Sequence, residues 1–334
     1  MSWTLIRATR FAEHAAHWDA LQALHAPAPM LQADFVAALL AEFGTGAELL
    51  AMSGDAMAIV RPHGRGSWAT FQPAQAPLGM WIERPGIDRP AAMAALLRVL
   101  PGLGLVLGLT QLDPLLAPAP ADAIDYIQTA RITVAGSFDD YWAGRGKNLR
   151  SNLKKQRSKL AADGVALRLQ VTTDAADMTD AVRDFGRLES AGWKAQAGTA
   201  VSLDNDQGRF YARMLALFAA RGAASVCRYW FDDQLVAMDL CIRQDGCIVV
   251  LKTTYDESVP KTFSPALLMR EEAVRALFDG GATDRIEFYG KVMEWHTRWT
   301  EEVRTLYHVN HYRWAALRRL HALAQARRAP SLSE

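Results

Sequence analysis

The same order of predicted elements occurs twice in this chain, and this repetition limits the folds available to it. Residues 55–109 and 233–289 each run from a hairpin turn through a strand, a loop and a helix to a glycine-containing stop and another strand. Pro90 and Pro265 lie in the first turns of the two helices, where a missing N–H breaks no helical hydrogen bond. Identity between the segments is low, so the pattern predicts a topological repeat, with chance recurrence as the alternative. We expect an α/β (α+β) fold of two units, each a mixed, mostly antiparallel sheet flanked by helices.

The boundary between the units is predicted near the middle of the chain. The Ala-Pro repeat at residues 117–120 and the polar residues after it are typical of a segment between domains. We therefore assign residues 1–130 to an N-terminal unit and residues 131–334 to a C-terminal unit. Half of the 334 residues are hydrophobic, so the chain can bury sizeable cores.

Composition and the first residues predict a cytoplasmic protein. No apolar run approaches the ~18 residues that a membrane span needs. The N-terminus lacks the charged start, apolar middle and cleavage site of a secretory signal. The three cysteines are too few for a disulfide framework and lie in apolar stretches, as expected of buried thiols in a reducing compartment.

Common catalytic and metal-binding motifs are not found in the sequence. It has no Walker A motif, no Gly-x-Ser-x-Gly and no His-Glu-x-x-His. The glycines of residues 102–108 have the wrong spacing for a dinucleotide fingerprint. The pairs His14/His17 and His308/His311 lack a cysteine or carboxylate partner at a recognisable spacing, so we expect no metal site.

A predicted helix near residues 147–162 is strongly basic. No acid occurs between Tyr141 and Ala162, although a solvated helix normally intersperses acids that pair with its cations. This pattern predicts a phosphate-bearing or otherwise anionic partner, and pairing with acids elsewhere in the fold is the alternative. The cations are Arg145, Lys147, Arg150, Lys154, Lys155, Arg157 and Lys159.

The helix that begins at Ser264 is a candidate anion site. A strand ends near Tyr255, a loop containing Lys261 follows, and Pro265 comes after a good N-cap residue. The first turn of a helix offers unpaired N–H groups and a positive dipole end, which together can hold a phosphate. The alternative is a capped helix that binds nothing.

Aromatic and titratable residues crowd the end of the following strand, from Glu287 to Trp299. Strand ends in open α/β sheets are common places for chemistry. A packed aromatic cluster is the alternative.

These three stretches, in this order, resemble the GNAT-type acyltransferase domain of the CelD/BcsL family of cellulose and exopolysaccharide biosynthesis, which is related to the FemABX aminoacyl transferases. The likeness covers about Phe138 to Trp299. Relatives usually have Ser-Pro-Gly where this chain has Ser-Pro-Ala, an aspartate at the position of Glu287, and Tyr-Lys at the position of Trp295-His296. The matching motifs are Leu149-Arg150-Ser151-Asn152-Leu153-Lys154-Lys155, Ser264-Pro265-Ala266-Leu267-Leu268 and Glu287-Phe288-Tyr289-Gly290.

The resemblance implies two GNAT-like units, with the active site in the second and acyl-CoA as cosubstrate. It implies that the acyl-CoA pyrophosphate lies at the helix start and that a splayed strand near Lys252–Tyr255 offers an N–H to the oxyanion. His296 is further expected to titrate near neutral pH. The expected donor-binding residues are Lys261, Ser264, Ala266 and Leu267. The expected proton-transfer groups are Glu287, Tyr289 and His296. The expected substrate-binding residues are Arg150, Lys154, Tyr255 and Arg298.

The leading hypothesis is an acyl-CoA-dependent N-acyltransferase that acts on an amino sugar or a related envelope or polysaccharide precursor. The second is a FemABX-like transferase that takes its acyl group from a charged tRNA, which the basic helix would suit. The third is a non-catalytic GNAT-like binding module.

Overall fold

The computed structural model describes residues 2–190 and 200–328. Within them, thirteen strands form one mixed sheet in the order β1-β2-β3-β4-β6-β13-β7-β12-β11-β10-β9-β8, and β5 pairs with β3 outside that path. The strands are β1 (Thr4–Arg7), β2 (Leu49–Met52), β3 (Ala56–Gly64), β4 (Ser67–Thr70), β5 (Trp81–Glu83), β6 (Val106–Leu112), β7 (Ile124–Thr133), β8 (Leu167–Thr172), β9 (Ala224–Phe231), β10 (Gln234–Gln244), β11 (Cys247–Tyr255), β12 (Arg285–Phe288) and β13 (Val303–Tyr312).

Helices cover both faces of the sheet. Short 3-10 helices lie at Ala8–His14, Pro29–Leu31 and Ala175–Asp177. The α-helices are α1 (Ala15–Gln22), α2 (Ala33–Phe43), α3 (Arg89–Val99), α4 (Phe138–Ala143), α5 (Lys147–Ala162), α6 (Met178–Ser190), α7 (Asp206–Ala219), α8 (Pro265–Asp279), α9 (Glu294–Thr297) and α10 (Ala315–Arg328). No helix in these two stretches of the chain is long and apolar enough to cross a bilayer.

The two halves have the same topology. Strands β2, β3 and β4 pair antiparallel in sequence order, and β6 pairs parallel with β4 after the crossover helix α3. Strands β9, β10 and β11 repeat this arrangement, and β12 pairs parallel with β11 after α8. The predicted fold of two units with mixed, mostly antiparallel sheets is therefore confirmed.

The halves exchange their last strands. Strand β7 follows the first half in the chain but pairs with β12 of the second half. Strand β13 follows the second half but pairs with β6 of the first, and β7 and β13 pair with each other. The predicted boundary between residues 130 and 131 falls inside β7, and the division into residues 1–130 and 131–334 stays a prediction.

The halves also share a hydrophobic core. Helix α2 packs against α7, where Phe35 meets Phe210 edge to face with ring centroids 5.4 Å apart. Both rings are fully buried, and burial of one such side chain stabilises the fold by roughly 1.5–3 kcal/mol. Gln244 of β10 donates a hydrogen bond to Gln22 of α1 at 2.7 Å. These contacts fix the position of the C-terminal sheet relative to the N-terminal half.

Candidate functional site

A β-bulge in β11 interrupts the sheet of the C-terminal unit. Leu240 of β10 faces Lys252, but the next residue, Cys241, faces Val250, so Leu251 is an extra residue in β11. On its other side, β11 pairs with β12 only over its first three residues. Beyond them the two strands diverge, and no strand of the described residues pairs with this edge of β11. The splayed strand expected near residues 252–255 is therefore present.

A cleft of about 1000 Å³ opens where the strands diverge. Arg270 and Phe288 line it from the side of the sheet that α8 covers, and Lys252 and Tyr289 line it from the opposite side. The cleft therefore passes between the strands and joins the two faces of the sheet. It is lined by Val250, Leu251, Lys252, Thr253, Tyr255, Asp256, Glu257, Val259, Lys261, Phe263, Ser264, Pro265, Ala266, Leu267, Arg270, Phe288, Tyr289, Gly290, Lys291, Met293, Trp295 and His296.

The structure brings most of the expected site residues into this cleft. The lining includes the four expected donor-binding residues, Lys261, Ser264, Ala266 and Leu267. It also includes Tyr255, Tyr289 and His296. Four expected residues do not line it, namely Arg150, Lys154, Glu287 and Arg298.

At the start of α8, neighbouring groups already satisfy several backbone N–H groups. Ser264 lies at the N-cap position, but its side chain makes no capping hydrogen bond. Its N–H donates instead to the Oε1 atom of Gln156 on α5 at 2.8 Å. The N–H of Leu267 bonds to the Ser264 carbonyl at 2.9 Å, and Pro265 has no N–H. Within the described chain, the N–H of Ala266 has no partner, so it is the group in this turn that an anion could reach.

Glu287 does not act in the cleft, because the alternation of β12 turns its side chain away from α8. It is 1% exposed and accepts a hydrogen bond from Arg304 at 2.8 Å. Arg285 lies 3.2 Å from its other oxygen. Burial raises the pKa of Glu287, although the two arginines oppose that shift. Glu287 is therefore part of a buried ion-pair network, and the expectation that it transfers protons at the strand end is corrected.

Tyr289 joins that network to the cleft. Its hydroxyl donates to Asp113 at 2.6 Å, and Asp113 accepts two further bonds from Arg304 at 2.9 and 2.7 Å. Burial, followed by the charge of Asp113, raises the pKa of Tyr289 well above its usual range. The phenol therefore stays protonated, with its proton directed toward Asp113.

His296 is buried in the cleft wall. Its ring stacks on Trp295 with centroids 3.5 Å apart, and Nδ1 accepts the N–H of Met293 at 2.9 Å. Burial lowers the pKa of His296 to about 4, and the charge of Arg270 acts in the same direction. The expectation that His296 titrates near neutral pH is therefore wrong. At pH 7 the imidazole is neutral and carries its proton on Nε2.

We expect His296 to remain neutral until the pH falls to about 4. The unfolded chain takes up this proton near pH 6.5. Acidification from pH 6.5 to pH 4 therefore favours unfolding, by up to roughly 3 kcal/mol for this group. An NMR titration of the imidazole Cε1–H resonances measures the pKa directly, with a His296→Asn variant to assign the signal. A His296 resonance that titrates near pH 6.5 would contradict this burial.

The basic helix α5 is only partly neutralised. Arg157 pairs with Glu271 at 3.1 Å and with Glu272 at 2.5 Å, both on α8. Lys147, Arg150 and Lys154, in contrast, line a surface hollow of about 520 Å³ in which Glu271 is the acidic lining residue. The alternative of internal pairing therefore holds for Arg157. Lys147 and Lys154 are exposed at the hollow, and Arg150 is half-buried there and donates to the Arg145 carbonyl at 3.0 Å. Arg298 is exposed and pairs with Glu294 at 2.7 Å.

Four residues at or near the site were not predicted from the sequence, namely Arg270, Asp113, Arg304 and Gln156. Arg270 had a detectable signal, since it lies four residues before Val274 on the apolar face of α8, where a charged side chain needs a partner. No sequence pattern indicated Asp113 or Arg304, because the segments that carry them come together only through the exchange of strands between the two halves.

The region around the cleft is similar in sequence to a known protein family. Residues 147–299 match the family model described as the acetyltransferase (GNAT) domain. No curated protein matches the chain in sequence. The match names the GNAT domain and not the CelD/BcsL family.

Solved structures similar to this chain share its fold over nearly the whole length. One is the C-terminal domain of a candidate lysylphosphatidylglycerol synthetase from Agrobacterium fabrum, at 14% identity and TM-score 0.58, with 94% of this chain and 96% of that chain covered. Another is FemX, at 8% identity and TM-score 0.58, with 96% and 99% covered. A third is L-PGS from Bacillus licheniformis, at 12% identity and TM-score 0.50, with 87% and 95% covered. At these identities the likeness concerns the fold alone. The family match shows that the chain contains a GNAT acetyltransferase domain, and the chain is therefore an acyltransferase.

Proposed function

We propose that this protein transfers an acyl group from acyl-CoA to an amine of a small molecule or glycan precursor, such as an amino sugar. The observation that carries the proposal is the cleft between β11 and β12, which has the first turn of α8 along its wall and joins both faces of the sheet. A donor can lie on the α8 side while an acceptor approaches from the other side. The motif resemblance to exopolysaccharide enzymes supports an amino sugar or envelope precursor as acceptor.

Two features at the start of α8 support binding of the acyl donor there. The N–H of Ala266 has no partner among the described residues, and it lies in the first turn, where the helix dipole favours negative charge. Lys261 lies on the same rim and adds an exposed cation. Because Gln156 occupies the Ser264 N–H, the site offers fewer backbone donors than an open helix end, and Lys261 would contribute correspondingly more.

The reaction itself needs a neutral amine, support for an oxyanion and a proton for the leaving thiolate. The amine nitrogen attacks the thioester carbon, the C–N bond forms, the C–S bond breaks, and the proton lost by the amine matches the one gained by the thiol. The unpaired edge of β11 can supply an N–H to the oxyanion. On the acceptor side, Lys252 donates to Gln207 at 2.6 Å and lies 3.4 Å from Glu189, so polar groups also surround that mouth.

A second candidate is transfer from an aminoacyl-tRNA. It is favoured by the hollow on α5, where Lys147, Arg150 and Lys154 present cations suited to a phosphate backbone. The α5 helix also contacts the cleft rim, since Lys159 lies 5.3 Å from the ring of Phe263. A large anionic donor could therefore contact α5 while its acyl end enters the cleft.

Thermal shift and native mass spectrometry with acyl-CoAs and with aminoacyl-tRNA test the proposal. Binding of an acyl-CoA, followed by transfer to an amino-sugar acceptor, is the expected result. Stabilisation by aminoacyl-tRNA alone would favour the second candidate. Binding of neither donor would contradict both.

Charge reversal of Lys154 and Lys155 should weaken binding of the anionic partner by about 10-fold at low salt, and less at high salt, because surface charges are screened. Titrations at two ionic strengths measure this. The double reversal of the exposed Arg318 and Arg319 on α10 changes the net charge equally and serves as the control. Equal effects of both pairs, or no effect of Lys154 and Lys155, would show that α5 is a solvated face without a specific role.

A further inference from the structure

The wall of the cleft contains a buried arginine with one unused donor. Arg270 of α8 is 3% exposed, and its Nη2 atom donates to Asp239 at 3.0 Å and to Thr253 at 2.8 Å. Its Nη1 atom is buried and has no hydrogen-bond partner in the described part of the chain. A buried donor without a partner is costly and uncommon in native proteins, so this atom calls for an explanation.

A second unused donor lies in the same wall. His296 is 5% exposed and neutral, and Nδ1 is already occupied by the Met293 N–H. The proton is therefore on Nε2, for which the residues described here provide no acceptor. Both side chains line the cleft.

The two donors are held against the same pair of aromatic rings. The Arg270 guanidinium lies 5.0 Å from the ring of Phe288 and 5.4 Å from that of Trp295. The His296 ring lies 5.7 Å from Phe288 and 3.5 Å from Trp295. The rings and the Asp239 ion pair hold the Arg270 guanidinium, and the rings and the Met293 hydrogen bond hold the His296 imidazole, so both groups have little freedom to turn toward other partners.

A ligand oxygen would complete this arrangement. Two donors without an acceptor suit an acceptor oxygen, and a hydrogen bond from a guanidinium in a poorly solvated site is among the stronger ones. The charge of Arg270 is already balanced by Asp239, with side chains 4% and 3% exposed. The site can therefore take a neutral carbonyl oxygen as well as a carboxylate.

We infer that Arg270 and His296 together bind a carbonyl or carboxylate oxygen of the ligand that enters the cleft from the start of α8. Arg270 lies four residues beyond Ala266, which is about 6 Å further along the helix axis. A donor whose anion lies at Ala266 therefore passes Arg270 on its way into the sheet. The identity of that ligand as acyl-CoA rests on the proposed function. The pair of hydrogen-bond donors, Arg270 and His296, is independent of that function.

Three probes separate the possible sources of the oxygen. Adenosine 3′,5′-bisphosphate lacks the pantetheine arm, CoA has the arm and its amide carbonyls, and acetyl-CoA adds the acyl carbonyl. Calorimetric titrations give the ratio of their dissociation constants. If Arg270 and His296 bind a carbonyl of the pantetheine arm, the preference for CoA over the bisphosphate should fall about 10-fold in the variants. If they bind the acyl carbonyl, the preference for acetyl-CoA over CoA should fall instead.

The variants are chosen so that the fold is kept. Arg270→Lys retains the cation beside Asp239 and removes the second donor arm. His296→Asn retains an acceptor for the Met293 N–H and removes the distal donor, whereas His296→Gln places a donor near the Nε2 position and should restore binding. Thermal unfolding of each variant separates loss of structure from loss of a contact. Unchanged preferences in Arg270→Lys and His296→Asn would overturn the inference, and the site would then hold an ordered water only.

If no CoA compound binds, the proposed function is contradicted. Binding of an oxygen ligand by Arg270 and His296 can still be tested directly. Acetate is then titrated into the wild-type protein while the His296 Nε2 resonance is followed by NMR. A saturable shift that disappears in Arg270→Lys supports oxygen binding by Arg270 and His296, whichever acyl donor the protein uses. No shift in the wild-type protein would refute it.

Discussion

Replacement of Arg304 by methionine should destabilise the protein by about 3–5 kcal/mol, because it leaves the buried Asp113 without a cation and the buried Glu287 with Arg285 alone. The side chains of Asp113 and Glu287 are 0% and 1% exposed, and Arg304 binds both. These groups come from β12, β13 and the segment after β6, so the loss acts where the two halves exchange strands. Urea unfolding measured at pH 7 gives the change in free energy.

Two further variants give this experiment its controls. Arg298→Met removes an arginine whose partner, Glu294, is exposed on the same helical turn, and it should leave the unfolding midpoint nearly unchanged. The triple change Asp113→Asn, Glu287→Gln and Arg304→Met removes the charges together and should recover part of the loss. An Arg304→Met protein as stable as its parent would show that the other partners of these carboxylates, Arg285 and Tyr289, suffice without Arg304.

Replacement of Ala266 by tryptophan should reduce donor affinity by at least about 100-fold. An indole in place of a methyl group closes the approach to the Ala266 N–H, which has no partner in the described part of the chain. Calorimetric titration with acyl-CoA measures the affinity, and circular dichroism checks that the fold is retained.

The opposite change at the same position is the matched control. Ala266→Gly removes one methyl group beside the N–H and should leave donor affinity equal or improved. A tryptophan variant that binds the donor as tightly as the parent would place the pyrophosphate elsewhere. The tRNA-dependent alternative would then gain support.

The sequence predicted the elements whose patterns are local. The strands at residues 224–255 are apolar and separated by hairpin turns, and α8 begins at a proline and ends before two glycines. Strands β7 and β13 were missed, because His308 and Asn310 interrupt the apolar pattern of β13 and because pairing of these strands depends on partners from the other half.

The site was predictable to a similar extent. Residues 261–267 could be placed from the order of strand, loop and helix, and they do line the cleft. The burial of Glu287 in an ion-pair network could not be predicted, because its partner Arg304 lies on a strand that the sequence did not indicate. The pKa of His296 depends on burial against Trp295 and on Arg270, and neither contact follows from sequence spacing.

A crystal structure of the protein with bound acyl-CoA would show where the donor lies. We expect the pyrophosphate at the first turn of α8, within hydrogen-bond distance of the Ala266 N–H and near Lys261, with the pantetheine arm between β11 and β12. An acyl-CoA bound at another surface, or no binding in the cleft at saturating concentration, would contradict a donor site at this helix start.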